Sequence, residues 1–127
     1  SENPLDAVEQ VLTREELLAM QADVRAVQTG DALLDYITRL TMASREHPNV
    51  EVGVSPRGAL LLCRMAKARA YLLGRAFAVS EDVQAVFEPV CAHRLIVSAK
   101  ARLAGVSAAD VVRELLADVP NPDRAAL

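Results

Sequence analysis

The chain has 127 residues, of which 52% are hydrophobic and 24% are charged, a balance typical of one folded domain and unlike that of a disordered chain. Aromatic residues make up only 3%, so we expect an aliphatic core built mainly from helices. The 17 Asp and Glu outnumber the 14 Lys and Arg, and the net charge of −3 disfavours general binding to nucleic acid or to anionic lipid.

The first part of the chain carries start signals for two helices. Residues 1–12 mix short apolar and polar positions, and we expect them to be a linker. Thr13 and the glutamate three residues later have the spacing of a capping box, which predicts a helix that ends before Gly30. Asp31 is suited to begin the next helix, which is expected to fray near Pro48.

A third helix is predicted from Pro56 to Gly74. Ser55 is suited to cap it, and proline is tolerated in a first turn because its missing N–H is not needed there. The apolar residues of this helix surround its axis instead of forming one stripe, which predicts a central helix that other helices cover on most sides. Residues 49–55 before it are expected to form a loop.

Further helices are predicted in the last part of the chain. Ser80 is expected to cap a fourth helix, and Pro89 to separate it from the apolar helical stretch 90–97. After a break at Gly105, Ser107 and the aspartate three residues later predict a capping box for the last helix. The predicted fold class is therefore all-α, a compact bundle of about five or six helices.

The expected domain organisation follows from these elements. We expect a linker at 1–12, a helical domain at 13–119 and a loose tail at 120–127. No apolar run reaches the roughly 18 residues that a membrane span needs. The two cysteines indicate no disulfide framework, so the expected setting is the reducing cytoplasm.

The residues that could carry catalysis form no recognisable enzyme site. No pair of His or Cys has the spacing of zinc ligands. His93 is expected to be hydrogen-bonded within the core, and His47 to be a solvated loop residue. Gly53 and Gly58 have the spacing of a Walker A motif, but the Lys and the Ser or Thr that must follow the second glycine are absent. The chain therefore has no P-loop of its own.

Arg57 occupies an unusual position in the sequence. It lies in the first turn of the third helix, where the helix dipole and the free N–H groups disfavour a cation. An anion nearby would remove this cost, because a helix N-terminus and a guanidinium together suit phosphate. An ion pair with a carboxylate of the domain and plain solvent exposure are the alternatives.

Residues 52–80 contain five cations and no Asp or Glu. These cations are Arg57, Arg64, Lys67, Arg69 and Arg75. Arg57 and Arg64 fall on nearly the same line of the third helix, while Arg69 points elsewhere. The segment could bind phosphate backbones, although no aromatic residues are interleaved for base stacking. Pairing with acidic residues of other helices or subunits is the commoner arrangement.

Three segments resemble a known family. GVSPRG at 53–58, GRAFAVSEDV at 74–83 and VCAHRL at 90–95 are similar, in order and spacing, to the C-terminal helical lid of MoxR-type AAA+ ATPases. The similarity covers nearly the whole chain. It departs from the family at Ser44, where Thr is common, and at Cys91, where Leu is usual.

The resemblance implies an upstream P-loop core that binds ATP with Mg²⁺ and that is missing here. It implies that Arg57 is the sensor 2 arginine, which reaches the γ-phosphate, with Ser55 and Pro56 beside it as nucleotide-contacting residues. Arg75 is expected to hold the following turn or face a neighbour, and His93 and Arg94 to pack or form hydrogen bonds. The intact protein is expected to be an ATPase in a hexameric ring that remodels partners, often ones with von Willebrand factor A domains.

Two alternatives remain open at this point. The lid of a magnesium-chelatase-like ATPase subunit has a similar helical domain. A free-standing helical module that binds nucleic acid or protein through the acid-free stretch is the other. An independent enzyme is disfavoured, because the chain lacks Walker A and Walker B motifs.

Overall fold

A computed structural model describes residues 3–125 of the chain, and helices account for most of them. The elements in order are a 3-10 turn at Pro4–Ala7, α1 (Arg14–Ala26), α2 (Asp31–Glu46), β1 (Val50–Val52), α3 (Pro56–Leu72), α4 (Ser80–Cys91), a 3-10 turn at Ala92–Arg94, β2 (Ile96–Val97), α5 (Ala99–Leu103), α6 (Ala108–Asp118) and α7 (Pro122–Ala125). Five of these helices are longer than ten residues, and α5 and α7 are short. The predicted all-α fold class is confirmed.

The two predicted capping boxes are present in the structure. Thr13 and Glu16 bond each other's backbone N–H groups at 3.1 and 3.0 Å, and Ser107 and Asp110 do the same at 3.1 and 2.9 Å. Gly74 follows α3 with a φ of 79°, a left-handed conformation that glycine adopts without strain. The starts of α1 and α6 and the end of α3 are therefore set by local sequence.

The core lies where α3 packs on α4, with α2 and α6 closing the other sides. Its largest fully buried hydrophobic side chains come from every one of these helices and are aliphatic apart from two rings: Tyr36, Leu40, Leu62, Val83, Phe87, Val111 and Val112. The expected aliphatic core is confirmed. This packing fixes α3, and with it the turn that bears Arg57.

The structure corrects two predictions about secondary structure. Residues 49–55 are not only a loop, because β1 pairs antiparallel with β2 in a small two-stranded sheet. Pro89 does not divide two helices but lies inside α4, which ends at Cys91. The stretch 90–97 is therefore the last turn of α4, a 3-10 turn and β2. A proline removes only one N–H donor, and the helix continues as Ala92 N–H bonds the Glu88 carbonyl.

The predicted roles of both histidines are wrong. The His47 side chain is only 8% exposed, because its Nε2 lies 2.6 Å from Glu114 of α6 and its Nδ1 accepts the Asn49 N–H. His93 is exposed in a 3-10 turn, not bonded inside the core. Sequence spacing could not show that α6 lies beside the end of α2.

Ser80 also differs from its predicted role as a helix cap. It is the first residue of α4, and its hydroxyl lies within hydrogen-bond distance of Asn121 and Asp123. Asp123 also accepts the Ser80 N–H at 3.0 Å. The tail is therefore bonded to α4 at these positions, while the domain limits of 13 and 119 stay predictions.

Candidate functional site

Arg57 is the second residue of α3 and is exposed. The Ser55 hydroxyl accepts the Gly58 N–H at 3.2 Å, and the Ser55 carbonyl accepts the Ala59 N–H at 3.0 Å. Pro56 has no N–H to donate. In the first turn of α3, only the N–H of Arg57 itself therefore lacks a partner among residues 3–125. The backbone therefore offers a ligand one free N–H group here, whereas the sequence indicated several free N–H groups in this turn.

The Arg57 guanidinium has no internal partner in the described part of the chain. None of the ion pairs and side-chain hydrogen bonds found there involves it. A carboxylate locking this side chain would have contradicted a role in binding an external anion. The guanidinium and the N–H of one residue are thus both available to a phosphate from outside the domain.

Ser44 and Gly53 hold the turn that leads into α3. Ser44 is fully buried; its hydroxyl donates to the Thr41 carbonyl at 2.6 Å and accepts the Val54 N–H at 2.9 Å. At Gly53 a Cβ would lie 2.7 Å from the Arg45 backbone, so only glycine fits beside α2. Neither role is visible in the sequence, because the contacts join residues about ten positions apart.

Arg94 lies against the same turn. A Cβ at position 58 would meet Val54 Cγ1 at 2.8 Å and Arg94 Cδ at 3.5 Å, so the Arg94 stem crosses the start of α3. Its Nε donates to the Val90 carbonyl at 3.1 Å, and the residue is exposed. The predicted hydrogen-bonding role of Arg94 is confirmed.

Asp82 binds two of the five cations of the acid-free stretch. Its fully buried carboxylate accepts two hydrogen bonds from Arg75, both 2.6 Å, and one from Arg69 at 2.7 Å. It also accepts the Val79 N–H at 2.8 Å. Burial raises the pKa of Asp82, but the hydrogen bonds from Arg75, Val79 and Arg69 outweigh it and the pKa lies below its usual value. The pairing alternative is confirmed for these two arginines.

Lys67 is also engaged within the domain, since its Nζ donates to the Arg25 carbonyl at 2.8 Å. Arg64 is exposed and has no carboxylate partner among residues 3–125. The predicted basic strip is thereby reduced to Arg57 and Arg64, one above the other on α3.

The described residues contain no cluster of three or more His, Cys, Asp or Glu side chains placed to hold a metal ion. None of the helices in this part of the chain is both long and apolar enough to cross a membrane.

Comparisons with known proteins agree with this arrangement. Residues 42–115 match the family model described as the AAA lid domain. Protein YeaC of Bacillus subtilis is 32% identical over 120 residues, which are 94% of this chain and 38% of that protein. Chaperone MoxR1 of Mycobacterium tuberculosis is 29% identical over an alignment of 122 residues, which covers 89% of this chain and 32% of that protein.

A solved structure has the same fold. The crystal structure of a candidate ATPase from Cytophaga hutchinsonii superposes with a TM-score of 0.84 and is 26% identical, covering 90% of this chain and 37% of that one. The chain thus spans well under half the length of the relatives it matches. By its family match, its MoxR relatives and its fold, the chain belongs to the AAA lid domain family and is the lid of a MoxR-type AAA+ ATPase.

Proposed function

We propose that this lid senses ATP held by a P-loop core elsewhere in the protein, and that Arg57 contacts the γ-phosphate. One observation carries the proposal: the Arg57 guanidinium stands at the start of α3 without a carboxylate partner among the described residues. Two other arginines of the same stretch are held by Asp82. An exposed guanidinium without a carboxylate partner can bind an external anion through its charge and its forked N–H donors.

The chemistry follows from the charge that phosphoryl transfer develops. The γ-phosphoryl group carries negative charge on its oxygens in the transition state, and a forked guanidinium can donate two hydrogen bonds to them. Because Arg57 is on the lid, the contact forms only when lid and core close on each other. The same arginine can therefore assist hydrolysis and report which nucleotide is bound. Ser55 and Pro56 shape the turn beside it, and the core would hold ATP and Mg²⁺.

The wider role that we propose follows the relatives. A lid that closes on ATP and opens after hydrolysis converts nucleotide state into movement, which a chaperone requires to remodel a partner. One relative is named a chaperone, which supports such a role here. From the resemblance to MoxR-type ATPases we further propose a hexameric ring that acts on partner proteins, including ones with von Willebrand factor A domains.

Replacement of Arg57 in the intact ATPase tests the sensing role. Arg57→Ala is expected to lower ATP turnover roughly 10²-fold, as the loss of one donor to a developing negative charge does elsewhere. Arg57→Lys should restore part of the activity, because it keeps the charge without the fork. Exposed Arg102 is the matched control, and Arg102→Ala should leave turnover unchanged. Unchanged hydrolysis by the Arg57→Ala protein would refute the proposal.

A further inference from the structure

One side of α3 is left uncovered by the other helices. The buried residues of α3 form a single stripe: Gly58, Leu62, Ala66 and Ala70. Leu60 is 52% exposed on another side, and Arg57, three residues before it, is exposed on that same side. The prediction that other helices cover α3 on most sides is therefore wrong for this domain by itself. A ligand can reach the first turn of α3 from this side.

The aliphatic stem of Arg94 packs on α3 one residue away from Arg57. A Cβ at Gly58 would lie 3.5 Å from Arg94 Cδ, so the stem fills the space that a longer side chain at position 58 would need. Adjacent Cα atoms are about 3.8 Å apart. The Arg94 stem and the backbone of Arg57 are therefore close neighbours, although they are far apart in sequence.

One hydrogen bond holds the guanidinium of Arg94 and leaves most of its donors free. Its Nε donates to the Val90 carbonyl, in the last turn of α4, at 3.1 Å. The N–H groups of its terminal nitrogens have no hydrogen-bond partner among the residues that the structure describes. Because Arg94 is exposed, these N–H groups are accessible to a ligand.

Arg57 and Arg94 bring two positive charges to the same turn. Neither forms an ion pair with a carboxylate in the described part of the chain, whereas Arg39, Arg69 and Arg75 each do. Like charges that are held close together repel each other, and an anion bound by both offsets the repulsion. The oxygens of one phosphate can accept hydrogen bonds from two forked guanidinium groups. The pair is therefore suited to a phosphate from outside the domain.

We propose that Arg94 is a second phosphate-binding residue of the lid, and that its terminal N–H groups contact the γ-phosphate of ATP together with Arg57. The inference rests on the proposed function, which supplies the nucleotide and the contact with Arg57. The bond to the Val90 carbonyl uses only Nε, so Arg94 keeps it when the phosphate binds. Because ADP lacks the γ-phosphate, the contact with Arg94 favours ATP over ADP.

The affinities of the full-length ATPase for ATPγS and for ADP test this second contact. Both are measured with Mg²⁺ present, by displacement of the fluorescent probe mant-ADP. Arg94→Ala is expected to weaken the binding of ATPγS about tenfold, because a charge-assisted contact is lost, and to leave the binding of ADP unchanged. Arg94→Lys should recover part of the affinity for ATPγS, since it keeps the charge without the fork. Arg102→Ala, at an exposed arginine of α5, should change neither affinity.

A purely structural role of Arg94 gives a different result. Loss of the bond to Val90 would weaken the end of α4 and lower the amount of folded protein, which reduces the binding of both nucleotides alike. The ratio of the two affinities does not depend on that amount. Arg94→Gln, which removes the charge but keeps an N–H donor, should show the same selective loss as Arg94→Ala. Equal losses for ATPγS and ADP, or no loss for either, would overturn the proposal.

This outcome is separable from that of the sensing role. Arg57→Ala tests the sensing role through ATP turnover, whereas Arg94 is tested through the ratio of two affinities. Lowered turnover of the Arg57→Ala protein, with an unchanged ratio in the Arg94→Ala protein, would remove only the second contact. Unchanged turnover of the Arg57→Ala protein, with a selective loss in the Arg94→Ala protein, would remove the role of Arg57 and keep Arg94 as a phosphate contact.

Discussion

At the scale of single residues, the position of Arg57 depends on a hydroxyl that makes no contact with it. Ser44 holds the Val54 N–H, and Val54 is three residues before Arg57. Val54 is 1% exposed, so water cannot replace this bond. The Ser44 hydroxyl of α2 thus holds the turn that leads into α3. A donor that loses its only partner in such a place costs its full desolvation energy.

Ser44→Ala is expected to lower the free energy of unfolding of the domain by roughly 2 kcal/mol, because it leaves the Val54 N–H buried and unpaired. Urea unfolding followed by circular dichroism measures the change. Thr38→Ala on the same helix is the matched control: the Thr38 hydroxyl bonds the Leu34 carbonyl in an exposed position, and its loss should cost no more than about 0.5 kcal/mol. Equal effects of the two substitutions would contradict the role of Ser44.

Residues of the site were predictable where the signal was local. The sequence predicts a helix cap at Ser55, a first-turn proline at position 56 and a cation in an unfavourable position at Arg57. The structure has each of them in that position. Ser44 and Gly53 gave no such signal, because their roles depend on α2 lying against the turn. The spacing of residues within one helix or turn does not show which other element packs against it.

At the scale of elements, Asp82 joins the end of α3 to the start of α4. It is the third residue of α4, where a carboxylate favours the helix dipole, and it holds the Val79 N–H. Arg69, in the last turn of α3, and Arg75, in the turn between the two helices, bind the same carboxylate. Two of the five cations in the acid-free stretch are therefore held by one buried acidic residue just beyond it.

Asp82→Asn is expected to lower the free energy of unfolding by about 3 kcal/mol at neutral pH, since it leaves two arginines without their buried partner. The pKa of Asp82 is depressed in the folded state, so its contribution is present above the unfolded pKa of about 3.9 and is lost as pH falls through the lower folded value. Urea unfolding between about pH 7 and pH 3 should show a shallower loss of stability in the variant than in the wild type.

The exposed ion pair between Asp35 and Arg39 on α2 provides the control for this measurement. Asp35→Asn should change the free energy of unfolding by no more than about 0.5 kcal/mol, because solvent screens the pair. An Asp82→Asn protein as stable as the Asp35→Asn protein would show that the buried cluster does not hold the two helices together.

Whole helices were more predictable than the short elements between them. Capping boxes at Thr13 and Ser107 and the proline at position 56 marked starts that the structure confirms. β1 and β2 were missed because strands of two or three residues form no periodic pattern, and they exist only because the chain returns to pair with itself. Pro89 was predicted to separate two helices, but α4 tolerates this proline near its end.

At the scale of the whole molecule, the fold has a closely packed core and an exposed apolar surface. The core on α3, α4 and α6 is closed, with Leu62, Val83 and Val111 fully buried. The surface on α1 and the outer side of α3 is not, and it lies on the same side as Arg57. The buried side of α3 thus contributes to the core, and Arg57, the proposed sensing residue, lies on another side of the same helix.

The position of α2 has a practical consequence for anyone who dissects this protein. The family match begins at Met42, in the last third of α2, yet Tyr36 and Leu40 before it are almost wholly buried. A polypeptide trimmed to residues 42–115 would also lack the partners that Asn121 and Asp123 give to Ser80. We expect that fragment to show no cooperative thermal melt by circular dichroism, whereas residues 13–125 should melt in one step. The segment that matches the family model is therefore shorter than the segment that we expect to fold.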